Sequence, residues 1–181
     1  MPDIEKINNV AVADISKLDS ITFADGQKVN NQSVSLVTDA HTLIATATSD
    51  GSDSSLGFTS GIDSTYDVYE FIFTNIHGQT DAANFVFQVN ASGGSGFNET
   101  ITSTFFNAYH TESGGPSLEY DEGYDQAQGT GYQVLARDVG TDNDQNASGI
   151  LTLYAPSSTT YVKHFMARVA STQRSDRKSV V

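Results

Sequence analysis

From residue 33 onward, apolar and polar residues alternate along the chain with a period close to two. In residues 67–76, the aromatic side chains of Tyr69, Phe71 and Phe73 fall on one side of an extended chain, and the residues between them fall on the other. This alternation is typical of a β-strand with one buried face. Other segments show the same alternation or are rich in β-branched and aromatic residues. The predicted strands are 34–38, 42–48, 67–76, 84–90, 101–109, 132–137, 149–154 and 161–169.

Polar connectors, most of them containing glycine, separate these segments, and no stretch has the periodicity of a long amphipathic helix. The connectors are 49–64, 78–83, 91–98, 112–131 and 139–148. Short strands at this spacing, without helical crossovers, predict an all-β fold: an antiparallel β-sandwich of jelly-roll type. The side chains that we expect to be largely buried are Tyr69, Phe71, Phe73, Phe85, Phe87, Val89, Phe105, Leu151, Leu153 and Phe165.

The first 32 residues differ from the rest because they repeat with an eleven-residue period. IEKINNV at 4–10 is followed by ISKLDSI at 15–21 and by a weaker copy, GQKVNNQ, at 26–32. An eleven-residue period can mark a helical supercoil, but paired Asn residues disfavour a helix interior and suit tight turns. We therefore interpret 1–32 as an extended N-terminal arm of short β segments and turns.

One copy of the arm cannot bury its own rows of Ile, Leu and Val, so we expect the arm to lie on another chain. The apolar positions assigned to this anchoring are Ile4, Ile7, Val10, Ile15, Leu18, Ile21 and Val29. Contacts of this kind predict a homo-oligomer, and a trimer in particular.

Charge is distributed unevenly over the predicted domains, which are the arm at 1–32, the sandwich at 33–170 and a basic C-terminal tail at 171–181. Residues 29–162 carry sixteen acids and a single base, Arg137, and the whole chain has a formal charge of −13. Such an acidic body repels phosphate backbones, which argues against nucleic acid as a partner. No apolar run approaches the roughly 20 residues that span a bilayer, and MPDIEKINNV does not resemble a signal peptide. With no cysteine, the chain has no disulfide and no thiolate site.

The densest charged cluster is the loop at 119–125, which contains four acids and two tyrosines. Tyr side chains can stack on a sugar, while carboxylates and carbonyls can accept its hydroxyls or coordinate calcium. The alternative is a solvated connector that binds nothing. The candidate ligand residues are Glu119, Tyr120, Asp121, Glu122, Tyr124 and Asp125. No nucleophile motif, phosphate-binding loop or dinucleotide fingerprint occurs, so no catalytic residue or cofactor is assigned.

Several phrases resemble virion structural proteins of marine tailed bacteriophages such as cyanophages. They are YDVYEFIFTNIH at 66–77, FFNAYH at 105–110, YDQAQ at 124–128 and PSSTTYVKHF at 156–165. The repeat of the arm is similar to leaders that precede unrelated β-domains in such proteins. In the family pattern the chain continues through further strands after the VKHF segment, whereas here it ends within twenty residues. Either another copy completes the sheet, or this chain is a shortened member.

The resemblance implies a β-rich, non-enzymatic component exposed on the phage particle. Within that class the sequence favours a capsid decoration or head-fibre protein, anchored by its arm to other virion proteins such as the major capsid protein. The alternative is a tail-fibre or tip module that binds a receptor or a host surface glycan through the 119–125 loop.

Overall fold

The computed structural model describes residues 41–173 throughout. Outside that range it describes strand backbone at 6–7, 10–11, 28–29, 32–33 and 177–180, together with the Lys178 side chain. The chain divides into two units, Met1–Thr46 and Ala47–Val181.

The described part of the first unit contains two short antiparallel strand pairs. β1 (Lys6–Ile7) pairs with β2 (Val10–Ala11), and β3 (Lys28–Val29) pairs with β4 (Gln32–Ser33). In both pairs the strands are separated by two residues, which are Asn-Asn in the sequence. The prediction of short extended pieces on either side of each Asn pair is therefore confirmed. The middle repeat and the predicted strand 34–38 lie outside the described residues.

The second unit is built from antiparallel strands, and its described part contains no helix. The strands are β5 (Val68–Ile76), β6 (Ala83–Phe87), β7 (Ile101–Thr102), β8 (Phe106–Thr111), β9 (Pro116–Tyr120), β10 (Ala127–Gly129), β11 (Gln133–Val139), β12 (Ala147–Tyr154), β13 (His164–Thr172) and β14 (Arg177–Val180). Six of them form one sheet in the order β5-β12-β13-β14-β8-β9, while β6 pairs with β11 and β7 pairs with β10. The described chain accordingly offers no apolar helix of bilayer-spanning length.

The buried core lies between one face of the six-stranded sheet and the β6–β11 pair. Its fully buried members come from β11, β12 and β13, and they are Leu135, Ala136, Val139, Ala147, Leu151 and Val169. Phe73 and Phe85 meet edge to face across this core with ring centroids 5.0 Å apart, and so do Phe87 and Phe165. Aromatic pairs from strands in different sheets thus close the core.

The face predicted for β5 is confirmed, because Tyr69 is 4% exposed whereas its outward neighbour Ile72 is 69% exposed. Phe105 and Leu151 are also buried, as expected. The other seven predicted core residues are half-buried. Five of these seven pack against the buried cluster, namely Phe71, Phe73, Phe85, Phe87 and Phe165. The buried residues of β11 were not predicted.

Three of the predicted segments differ from the structure. Residues 42–48 form no strand; their pattern alternates, but they have no ladder partner and are exposed. The predicted strand 101–109 is split into β7 and β8, because Ser103 N donates to Gln126 O at 2.9 Å and Asp121 N donates to Phe105 O at 3.0 Å. The predicted connector 112–131 contains both β9 and β10.

The segment predicted as a basic tail contains strand. Ser171 and Thr172 belong to β13, and residues 177–180 form β14 between β13 and β8. β14 therefore joins the β5-β12-β13 half of the sheet to the β8-β9 half. The sheet is completed at this position by the chain itself.

Candidate functional site

The predicted ligand loop begins within β9 and leads toward β10. Glu119 and Tyr120 are the last residues of β9, and Tyr124 N donates to Asp121 O at 3.2 Å to close a turn. The six candidate residues are therefore neighbours in one short segment. Their side chains, however, have different surroundings.

Arg137 of β11 holds the loop against the body. Its guanidinium forms an ion pair with Asp121, and the two side chains are only 12% and 17% exposed. The fully buried amide of Asn107, with its oxygen turned toward Arg137, accepts from Nη2 at 3.0 Å and from Nε at 3.3 Å. A mostly buried cation is tolerated only when its donors are matched in this way.

Tyr124 packs inward beside this ion pair. Its ring lies 5.6 Å from the ring of the buried Phe105, and the guanidinium carbon of Arg137 lies 5.5 Å from its centroid. This geometry is that of a cation–π contact. Tyr124 is therefore a packing residue of the loop, and the ring face covered by Arg137 is not free to stack on a sugar.

A buried amide network fastens the far side of the loop. Gln133, which is 2% exposed, donates from Nε2 to Tyr124 O at 3.0 Å. Its Oε1 accepts from Ser103 Oγ at 2.6 Å, and Ser103 Oγ in turn accepts from Gln126 N at 2.9 Å. Because buried polar groups are costly unless they are paired, this network fixes one conformation of residues 124–126.

Tyr120 is the more exposed of the two tyrosines, at 49%. Its ring meets Phe106 of β8 edge to face at 5.3 Å, and its hydroxyl donates to Asp125. This hydrogen bond, with the nearby negative charge, raises the pKa of Tyr120 above its ordinary value. Since Asp121 and Asp125 are already engaged by Arg137 and Tyr120, Glu122 is the acid of the loop that lies most openly in solvent.

Within the described ranges, no three His, Cys, Asp or Glu side chains are grouped so as to hold a metal ion. Of the predicted anchoring residues, Ile7, Val10 and Val29 lie in β1, β2 and β3. Ile4, Ile15, Leu18 and Ile21 lie outside the described residues.

Sequence reasoning did not identify Arg137, Asn107 and Gln133 as partners of the loop. One signal was present, because Arg137 is the single base among sixteen acids in residues 29–162. A lone base in such a segment is a natural ion-pair partner. Asn107 and Gln133 carry no comparable signal in the sequence.

A second candidate surface is the outer face of the six-stranded sheet, the side turned away from the buried cluster. Ile72, Ile150 and Arg168 lie side by side there on β5, β12 and β13. A shallow depression of about 280 Å³ lies at the β12–β13 side of this group and is lined by Ser148, Gly149, Ile150, Arg168 and Ala170. The large apolar side chains exposed on this face are Val68, Ile72, Phe106, Leu118, Tyr120, Ile150, Tyr154 and Met166.

Comparison with known proteins adds no relative: no family model, no curated protein and no solved structure matches the chain.

Proposed function

We propose that this protein is a structural component of a tailed-bacteriophage virion, a capsid decoration or head-fibre protein anchored by its N-terminal arm. The observation that carries the proposal is the large amount of apolar side chain that a single copy leaves uncovered. Soluble monomers rarely expose contiguous apolar surface on this scale, and an assembly component covers it with its neighbours.

The uncovered side chains lie both before and within the sheet. Leu56, Phe58, Ile62 and Tyr66 are 36–44% exposed in the irregular segment that leads to β5. The segment contacts β5 through the ring of Phe58, which lies 5.7 Å from that of Phe71, and through the ring of Tyr66, which lies 5.9 Å from that of Tyr69. Exposed apolar side chains on an irregular, otherwise polar segment are suited to packing against a neighbouring subunit.

The phrases that resemble phage virion proteins occupy structurally important positions. Residues 66–77 include the whole of edge strand β5, residues 105–110 include most of β8, and residues 156–165 lead into β13. Two of the four phrases therefore lie in strands of the main sheet, whereas most of 156–165 is the connector before β13 and 124–128 leads into β10. We further propose that the six-stranded sheet and the β6–β11 pair are the two layers of a sandwich, because side chains from both build the same buried cluster.

Antibody labelling of purified phage particles tests this function. Antibodies raised against residues 47–181 are expected to decorate the particle surface regularly, and the chain is expected in the washed particles by mass spectrometry. Labelling confined to tail tips would favour the glycan-binding alternative. Absence of the chain from washed particles would overturn the proposal.

A further inference from the structure

We propose that the outer face of the six-stranded sheet is the surface through which copies of this chain associate. The inference deepens the assembly part of the proposed function, since it names the surface and its occupant, a second copy. It is argued from the sheet alone.

The first argument is the exposure of this face. Ile72, Met166 and Leu118 are 69%, 65% and 78% exposed, although they sit in the interior of well-paired strands. Because paired residues share a face, these side chains all project from the same side of the sheet, and Ile72 lies directly beside Ile150. One row of paired residues runs from Ala170 through the β14 backbone at Val180 to Ala108 and Leu118.

The second argument is area. A large apolar or aromatic side chain presents roughly 200 Å² when it is fully exposed. Because the eight residues of this face are 37–78% exposed, together they leave roughly 800 Å² uncovered. That matches the roughly 800 Å² that each partner contributes to a stable protein–protein interface. The face is therefore large enough for an interface of standard size between two copies.

The third argument is charge. Most acids of the second unit lie in connectors, whereas this face carries Arg168, Lys178 and Glu70, and Lys178 is paired with Glu112 of the β8–β9 connector. Two copies that approach through other surfaces bring carboxylates against carboxylates, which is unfavourable. The outer face is therefore an apolar surface with nearly balanced charge on an acidic body, so self-association through it brings few carboxylates together.

Sedimentation velocity of the full chain over a wide concentration range tests the inference. The unmodified protein is expected to sediment as an oligomer. Ile72→Glu and Met166→Glu are each expected to raise the dissociation constant by about a hundredfold or more, because association would bury an uncompensated carboxylate. Both residues are highly exposed in one copy, so circular dichroism and the melting temperature of the dissociated variants are expected to show a folded chain.

Phe97→Glu is the matched control, because Phe97 is 48% exposed in the connector between β6 and β7, strands outside the six-stranded sheet. This variant is expected to sediment as the same oligomer as the unmodified protein. A monomeric unmodified protein would overturn the inference, and so would an oligomer that both outer-face variants leave intact.

Thiol labelling gives a second readout that does not depend on disrupting the contact. Because the chain has no cysteine, Met166→Cys and Phe97→Cys each introduce a single reporter. In the oligomer, maleimide is expected to react with the thiol at 97 and to spare the thiol at 166 until dilution dissociates the copies. Equal reactivity of both thiols in the oligomer would contradict the inference.

These experiments fail independently of the proposed function. A chain that is found on particles but does not self-associate through this face overturns only the interface. A chain that self-associates through it but is absent from particles overturns only the virion assignment.

Discussion

The ion pair between Arg137 and Asp121 makes a specific prediction about how the 119–125 loop is held. In Asp121→Ala the carboxylate is lost, and the Arg137 side chain, which is 12% exposed in the unmodified protein, keeps Asn107 and the Tyr124 ring as its remaining partners. Removing one member of a fully buried ion pair costs about 3–5 kcal/mol, because an uncompensated charge stays behind. Here the side chains are slightly exposed and two partners remain, so we expect a loss of about 2–3 kcal/mol in the free energy of unfolding.

Urea denaturation and thermal melting measure this loss. At roughly 3 °C per kcal/mol for a chain of this size, the melting temperature should fall by about 6–9 °C. A double-mutant cycle with Arg137→Met should give a coupling energy of about 1–2 kcal/mol, because the second change removes the stranded cation.

The exposed pair of Lys178 and Glu112 is the control. Its atoms lie 3.3 Å apart, but the side chains are 67% and 63% exposed. Glu112→Ala should therefore cost less than about 0.5 kcal/mol. If Asp121→Ala costs no more than Glu112→Ala, Arg137 does not hold the loop and the reasoning is refuted.

Three further predictions follow from the sheet and the loop. Phe71→Ala should lower the free energy of unfolding by about 3 kcal/mol because it opens the core. Ile72→Ala, one residue along on the outer face, should lower it by less than about 1 kcal/mol. Equal losses in urea denaturation would refute the assigned faces. Gly149→Ala should lower the free energy of unfolding by about 3 kcal/mol or more, because the added carbon would meet the β13 backbone at 2.8 Å. Gly57→Ala, where the added carbon would have no atom closer than 4.0 Å, should leave the melting temperature nearly unchanged. In a phenolate absorbance titration, the difference between the unmodified chain and Tyr120→Phe should show one tyrosine with a pKa above 10.0. The hydrogen bond of Tyr120 stabilises the fold below that pH and is lost as the pH rises through the raised pKa. A midpoint at or below 10.0 would show that the bond is absent.

Much of the main sheet could be predicted from the sequence, because the alternation of apolar and polar residues shows which side chains share the buried face of a strand. The aromatic residues of β5 and the Leu pair of β12 have the expected orientation. What alternation cannot report is whether a partner strand is present, and so residues 42–48 were assigned wrongly. The strands β9 and β14, PSLEY and RKSV, were missed because Pro, Glu and Lys are uncommon in strands. Both are ordered by pairing with β8.

The candidate loop could be found from its composition, but its internal contacts could not. Asp121 and Arg137 are sixteen residues apart, and the amide network joins Ser103 to Gln133 across thirty. Such pairings depend on how β7, β9 and β11 are placed in space. The composition of the loop does not distinguish Tyr120 from Tyr124, whereas in the structure Tyr124 is packed against Phe105 and Arg137. Removing Tyr124 would therefore lower the stability of the fold.

The central claim, that this chain is an assembled part of a phage virion, is tested most directly by cryo-electron microscopy of the purified particle. We predict repeated density on the particle surface that fits the six-stranded sheet, with the outer face covered by a neighbouring copy and the N-terminal arm lying on another chain. A map in which no density fits this sheet would contradict the account.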